Sequence, residues 1–281
     1  MSKTLWYVCA IAVMAAVLVG GSGMREAEAK ARGSKKMLWI AHRGESYIAP
    51  ENTMAAFNLA WEKGVKFVEL DCYLTKDNRI ICSHDANTKR TGGVSMVIKD
   101  SNAEDLRKVD VGKWKGEKYT GEKMPFIEEA FASIPKGGTI FCEIKCGPEI
   151  LPFLRTALDE SGKRSQVTII CFSLDVCAKA KKMMPDLQVY YLSAPRKDPN
   201  TGAQLPYGDD IIKACLDNNL DGLNIEYHAV TKEYVDRVKA AGLRMFVWTC
   251  DGVDDARRLK EAGVEGITSN RAAWLSDQLG K

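Results

Sequence analysis

The sequence predicts an α/β protein built as a closed parallel (β/α)8 barrel, with a β-hairpin after the second strand and a small insertion at about residues 85–123. Three observations lead there. From about residue 37 onward, short apolar strand-like runs alternate with helix-periodic segments, eight times once a hairpin strand is set aside. The chain has 281 residues, 46% of them hydrophobic, enough for one large core in a fold that commonly takes about 250 residues. Finally, the histidines and several acidic residues collect at the predicted strand ends, where such barrels carry their chemistry. A doubly wound open sheet is the alternative, but no Gly-x-Gly-x-x-Gly follows the first strand.

The amino terminus differs from the rest. Lys3 precedes an uncharged apolar run over 5–19, followed by Gly20-Gly21-Ser22-Gly23 and the small-x-small pattern Ala27-Glu28-Ala29. This reads as a secretory signal peptide over residues 1–29, which makes the protein exported, periplasmic or secreted. The run falls short of the roughly 20 residues a membrane span needs, so an uncleaved anchor is the lesser reading and no stable span is expected after cleavage. Cys9 lies inside the run rather than after it, which argues against a lipidated cysteine.

The catalytic domain then runs over 38–281. Its first strand, 38–41, ends in His42-Arg43-Gly44, and Asn52 or Thr53 can cap a helix that stops at about Gly64. A strand follows at 67–73. The turn Lys76-Asp77-Asn78 is too short for a parallel crossover, so 79–84 must return as an antiparallel partner. Residues 85–123 are polar, rich in Gly and Lys, and weakly periodic, which marks the insertion. Strands are then expected at 139–144, 167–172, 188–192, 222–225, 244–248 and 266–268. Helices should fill 126–135, 149–162, 175–184, 208–219, 231–241, 253–262 and 271–279, with Gly242 and Gly263 at helix ends.

Composition excludes some partners. A net charge of +3, from 40 basic and 37 acidic residues, is too even to argue for nucleic acid or for an anionic membrane surface. No stripe of basic residues interleaved with aromatics stands in the sequence. Of nine cysteines, one sits in the leader. The others lie mostly in apolar strand-like runs without a Cys-x-x-Cys pair, so buried free thiols are expected, with one or two disulfides open.

The chemistry collects at the strand ends. Glu69 and Asp71 share one face of the second barrel strand, and Glu143 and Lys145 share a face of the next. Three carboxylates in one mouth repel one another unless a hard divalent cation, Mg²⁺ or Ca²⁺, sits among them. Two of the chain's three histidines, His42 and His84, flank this group and suit general acid and base work. Arg43 and Lys145 supply positive charge that a phosphate would want. Trp248, at a strand end, could wall a substrate pocket, and Tyr190, Tyr191 and Tyr227 are weaker candidates. His228 reads as a rim residue, and Cys250 as a formal but unsupported nucleophile.

These same residues carry a resemblance. His42-Arg43-Gly44, then Pro50-Glu51-Asn52-Thr53 with Ala56-Phe57, Glu69-Leu70-Asp71, Thr75-Lys76-Asp77, His84-Asp85, Glu143-Ile144-Lys145, Val247-Trp248-Thr249 and Gly263 to Thr268 resemble, in order, the motifs of glycerophosphodiester phosphodiesterases. The likeness spans about 38–275, with little motif over 150–220. It implies a TIM barrel with an insertion after the second histidine. It also implies His42 and His84 as general acid and base, Glu69, Asp71 and Glu143 as Mg²⁺ or Ca²⁺ ligands, and Arg43 and Lys145 as phosphate-holding cations. The implied partner is a small-molecule glycerophosphodiester, cleaved to glycerol 3-phosphate and an alcohol; the oligomeric state is not implied. Two departures stand out. The family usually closes its last strand with Thr-Asp before a Pro, whereas Thr268 is followed by Ser269-Asn270-Arg271-Ala272; and Asn78 replaces a common Gly in the hairpin turn. Neither is expected to touch the catalytic set, although the first should alter pocket shape. Rival readings are a barrel phosphodiesterase for a phosphoinositide, a sphingolipid or a sugar diester, and a non-catalytic envelope binding protein. A glycosidase would explain neither the histidines nor Lys145.

Overall fold

The computed structural model describes residues 36–280, so the leader read over 1–29 lies outside the described residues. Eight parallel strands form the barrel wall: β1 (Leu38–Ala41), β2 (Phe67–Leu74), β4 (Thr139–Ile144), β5 (Val167–Cys171), β6 (Gln188–Ser193), β7 (Gly222–Glu226), β8 (Arg244–Trp248) and β9 (Gly266–Ser269). They pair in sequence order, and β1 closes the ring by pairing with both β2 and β9. The ninth strand, β3 (Ile80–Cys82), runs antiparallel to the upper half of β2, with Cys72 opposite Cys82. The hairpin is thus the one the short turn required, and Asn78 adopts the positive φ of 61° that the turn demands.

Helices pack outside the wall. α1 (Met54–Glu62) begins at Thr53, whose side chain accepts from the Ala56 N–H, so Thr53 rather than Asn52 is the cap. Between β3 and β4 the chain makes the short helices α2 (Lys89–Gly92) and α3 (Ala103–Leu106) and then α4 (Ile127–Ala132). The outer layer is completed by α5 (Leu151–Ser161), α6 (Leu174–Met183), α7 (Asp210–Asp217), α8 (Lys232–Ala240), α9 (Val253–Ala262) and α10 (Ala272–Leu279). The insertion has no strand among the described residues and closes over its own small core of Ile81, Ile98, Leu106, Val109, Val111 and Met124.

Two further cores decide where chemistry can sit. The outer one lies between strands and helices and contains seven of the eight described cysteines, with Cys146 packed against it, all eight thiols being free. The inner one fills the barrel with Ile40, Phe141, Ile170, Tyr190, Leu192 and Phe246. Phe141, Tyr190 and Phe246 pack with ring centroids 4.8–6.0 Å apart. Tyr190 therefore belongs to the barrel filling and not to a pocket wall; its hydroxyl accepts from Arg244 at 2.9 Å. With the lower barrel closed by aromatic rings, polar side chains on the inward face are confined to the layer above, at the C-terminal mouth.

Candidate active site

Strand register sets the centre of the mouth. Asp71 of β2 lies directly beside Glu143 of β4, and Glu69 stands two residues before Asp71 on the same face. All three are buried, and each offers a carboxylate oxygen within 4.8 Å of the others. Burial, then the neighbouring charges of Asp71 and Glu143, push the Glu69 carboxyl well above the usual range. Burial, then Asp71, push Glu143 up to about 7 despite the nearby Lys145. Glu69 Oε1 and Asp71 Oδ1 are buried without a hydrogen-bond partner. Orphaned oxygens on mutually repelling carboxylates cost free energy, and an all-oxygen donor set suits a hard divalent cation. The residues present therefore fit Mg²⁺ or Ca²⁺.

Two cations border the carboxylates. Arg43 follows β1 in a left-handed conformation with φ of 55°. Its backbone N–H donates to Glu69 Oε2 at 2.8 Å, its Nη1 donates to Glu51 at 2.7 Å, and its Nε lies 3.2 Å from Asp71. The next residue must be glycine. Gly44 has φ of +82°, and a Cβ there would stand 2.5 Å from the Ala56 carbonyl carbon of α1. Lys145 donates to Glu143 at 2.8 Å and lies 3.6 Å from Asp71. Asn52, also left-handed, clamps Asp71 from both sides: its Nδ2 donates to Asp71 Oδ2 at 2.8 Å, and its Oδ1 accepts the Asp71 N–H at 3.0 Å.

The two histidines reach the site differently. His42 Nε2 is 4.0 Å from Glu69, and its Nδ1 lies 2.7 Å from Asn270 Oδ1. Asn270 is held by Asp251, which accepts from its backbone N–H at 2.8 Å and its Nδ2 at 2.6 Å. That second bond fixes the amide with its oxygen toward His42, so Nδ1 donates and Nε2 carries the free lone pair. Burial, then the charge of Arg43, push the His42 ring down to about 4. The altered end of the last strand thus does touch the catalytic set, contrary to the sequence expectation: Asn270 is the partner of His42. His84 follows β3, and its Nδ1 meets Asp85 at 2.7 Å. Arg90 from the insertion donates to Asp85 at 2.6 Å and bidentately to Glu51 at 2.7 and 2.8 Å. Burial alone would raise Glu51, but Arg90 and Arg43 outweigh it and bring the carboxyl to about 2.

The remaining candidates sort by position. Trp248, half-buried, donates to Asn224 O at 3.0 Å and meets Phe172 edge-on at 5.4 Å. Phe172, unremarked in the sequence, is 45% exposed and has Lys145 Nζ 5.8 Å from its ring centre. His228, just past β7, is exposed, pairs with Glu226 and stacks on Tyr227. Tyr191 packs against the outer core. Cys250 is buried, with its thiol pushed up to about 11 by burial, which removes it as a nucleophile.

A (β/α)8 barrel with this constellation at its mouth falls in the class of α/β-barrel phosphodiester hydrolases. The Glycerophosphoryl diester phosphodiesterase family profile matches residues 42–273. A glycerophosphodiester phosphodiesterase of Caldanaerobacter subterraneus subsp. tengcongensis is 35% identical over 240 residues, covering 84% of this chain and 94% of that one. One of Bacillus subtilis is 30% identical, covering 84% of each. Among solved structures, an Oleispira antarctica phosphodiesterase in complex with the product sn-glycerol-3-phosphate is 25% identical with a TM-score of 0.73, over 85% of this chain and 94% of that one. The chain belongs to the glycerophosphoryl diester phosphodiesterase family.

Proposed function

We propose that the protein hydrolyses glycerophosphodiesters to glycerol 3-phosphate and an alcohol, with Glu69, Asp71 and Glu143 holding a divalent cation and His42 and His84 moving the protons. The observation that carries this reading is the contrast between the histidines' partners around a carboxylate cluster with orphaned oxygens. His42 donates Nδ1–H to a neutral amide and is kept neutral by burial, so its Nε2 accepts the proton of the attacking hydroxyl, from water directly or from the substrate's own glycerol, in which case water then opens the cyclic phosphate. His84 has its Nδ1 held by the Asp85 carboxylate, and its Nε2–H protonates the departing alkoxide as the P–O bond breaks. Arg43 and Lys145 balance the charge of the bound phosphate. Mg²⁺ or Ca²⁺ in the cluster supplies Lewis-acid stabilisation of the phosphoryl oxygens. Trp248 and Phe172 wall the side of the mouth next to Lys145 and take the alcohol. The leader over 1–29 supports an exported enzyme.

The test is release of glycerol 3-phosphate and choline from glycerophosphocholine, before and after chelation and reconstitution with each cation. Activity is expected to vanish with EDTA and in His42→Ala. Turnover that persists in either case sinks the scheme.

A further inference from the structure

Isolated apolar side chains on a surface are ordinary, but a contiguous set interleaved with cations is not. One such set borders the mouth. Tyr47 is 60% exposed, Trp114 46%, Ile48 40% and Trp274 39%. They come from three segments far apart in sequence: the β1–α1 loop, the insertion, and the first turn of α10.

Direct contacts join them into one surface. Arg271 lies over Trp274 at 4.1 Å and over Tyr47 at 5.2 Å. Lys115 donates to Ser46 O at 2.7 Å while lying 5.5 Å from the Trp114 ring, and the Tyr119 hydroxyl donates to Ile48 O at 3.2 Å. Lys118 covers Tyr119 at 4.8 Å. A cavity of about 390 Å³ opens between Tyr47, Ile48, Lys63, Arg271, Trp274 and Asp277. The surface adjoins the catalytic machinery, because the Ser46 hydroxyl donates at 3.0 Å to the same Asn270 oxygen that receives His42.

Charge identifies the occupant. Lys113, Lys115, Lys118 and Arg271 stand among the aromatics of this surface. Against them are Asp277 and the buried Glu45 at the cavity, and Glu117, which is 3.8 Å from Lys113. Cores of protein–protein interfaces are depleted of lysine. Aromatic rings flanked by long cations with flexible apolar stems suit the headgroup layer of a bilayer, where the rings enter the interface and the cations meet lipid phosphates. We propose that this face docks the enzyme on anionic lipid surfaces, with the active-site mouth turned toward the layer. Diesters whose glycerol carries an acyl chain anchored in the layer then reach the site directly. That consequence rests on the phosphodiesterase reading; the docking itself does not. The even charge balance of the whole chain conceals the surface because folding assembles it.

The experiment is co-sedimentation of the full chain with phosphatidylcholine vesicles, with and without phosphatidylglycerol, in the absence of any diester substrate. The parent should bind the anionic vesicles at least about tenfold more tightly than the neutral ones, and added salt should weaken that preference. Lys113→Glu with Lys118→Glu should lower the anionic preference by about fivefold or more per cation, and Trp114→Ser with Trp274→Ser should weaken anionic binding by about tenfold. Both double variants should turn over soluble glycerophosphocholine at the parent's rate. Equal binding to the two vesicle types overturns the proposal, as does an anionic preference that survives both double variants. Because binding is read without catalysis, a parent that binds but does not hydrolyse refutes the activity alone.

Discussion

Replacing Glu143 by Gln is expected to stabilise the cation-free protein while abolishing hydrolysis. Burial and the Asp71 charge hold this carboxyl at about 7 in the folded protein, with the attraction of Lys145 already included, against 4.5 for the free group. A carboxyl whose folded pKa lies above its unfolded value binds its proton more tightly when native. Stability is therefore gained as pH falls from about 7 toward 4.5, and lost as pH rises through the same window. Above that window the ionised group costs on the order of 3 kcal/mol. Gln keeps the shape without the charge but weakens the 2.8 Å bond from Lys145, which retains Asp71 at 3.6 Å. The net gain at about pH 8 in EDTA should be about 1–2 kcal/mol, on the order of 2–8 °C in Tm, and should disappear near pH 5. Scanning calorimetry of parent and variant at both pH values measures it. Ca²⁺ or Mg²⁺ should raise the parent's Tm at pH 8 and the variant's far less, since one of three donors is gone. A variant whose Tm falls in EDTA at pH 8 would refute the idea that these carboxylates repel one another when no cation joins them.

Two further outcomes follow from the same geometry. Asn270→Leu removes the acceptor that orients His42 and should lower kcat by roughly 10–100-fold with KM little changed, as steady-state kinetics would register; an unaltered kcat would mean the ring is oriented by something else. On the acid side, protons compete with the cation for Glu143 below about 7, whereas His42 stays neutral down to about 4. Rate lost at pH 6 should therefore return as the Mg²⁺ or Ca²⁺ concentration is raised, and a loss that no cation concentration reverses would contradict this assignment.

The barrel was legible in the sequence because each wall strand is a compact apolar run followed by a helical repeat, and the three-residue turn before Arg79 admits only a hairpin. Carboxylates were legible for a local reason: Glu69 and Asp71 are two apart, so one face carries both. Which layer of the barrel a side chain occupies was not. Tyr190 points inward as a strand residue should, but stagger of the strands sets it in the filling beside Phe141 and Phe246 rather than at the mouth. Asn270 was equally out of reach, since its contact with His42 spans 228 residues of chain. Asn52 and Thr53 both looked like helix caps; the left-handed turn at Asn52 sends its side chain to Asp71 and leaves the cap to Thr53.

Charge ties the insertion to the catalytic centre. Arg90 begins a run of ion pairs that leads from Asp85 beside His84, through Glu51, to Arg43 and Asp71. Movement of the insertion thus reaches His84 through Asp85 and the carboxylate cluster through Glu51. Asp251 anchors the His42 partner from the end of β9, where it accepts from Ser269 and Asn270, and Ser46 shares the Asn270 amide oxygen. His42 takes its partner from the end of the last wall strand, and His84 takes its own from the insertion that also carries Trp114 and its lysines. The face proposed to dock therefore adjoins both histidines, His84 through Arg90 and Asp85, and His42 through Lys115, Ser46 and Asn270.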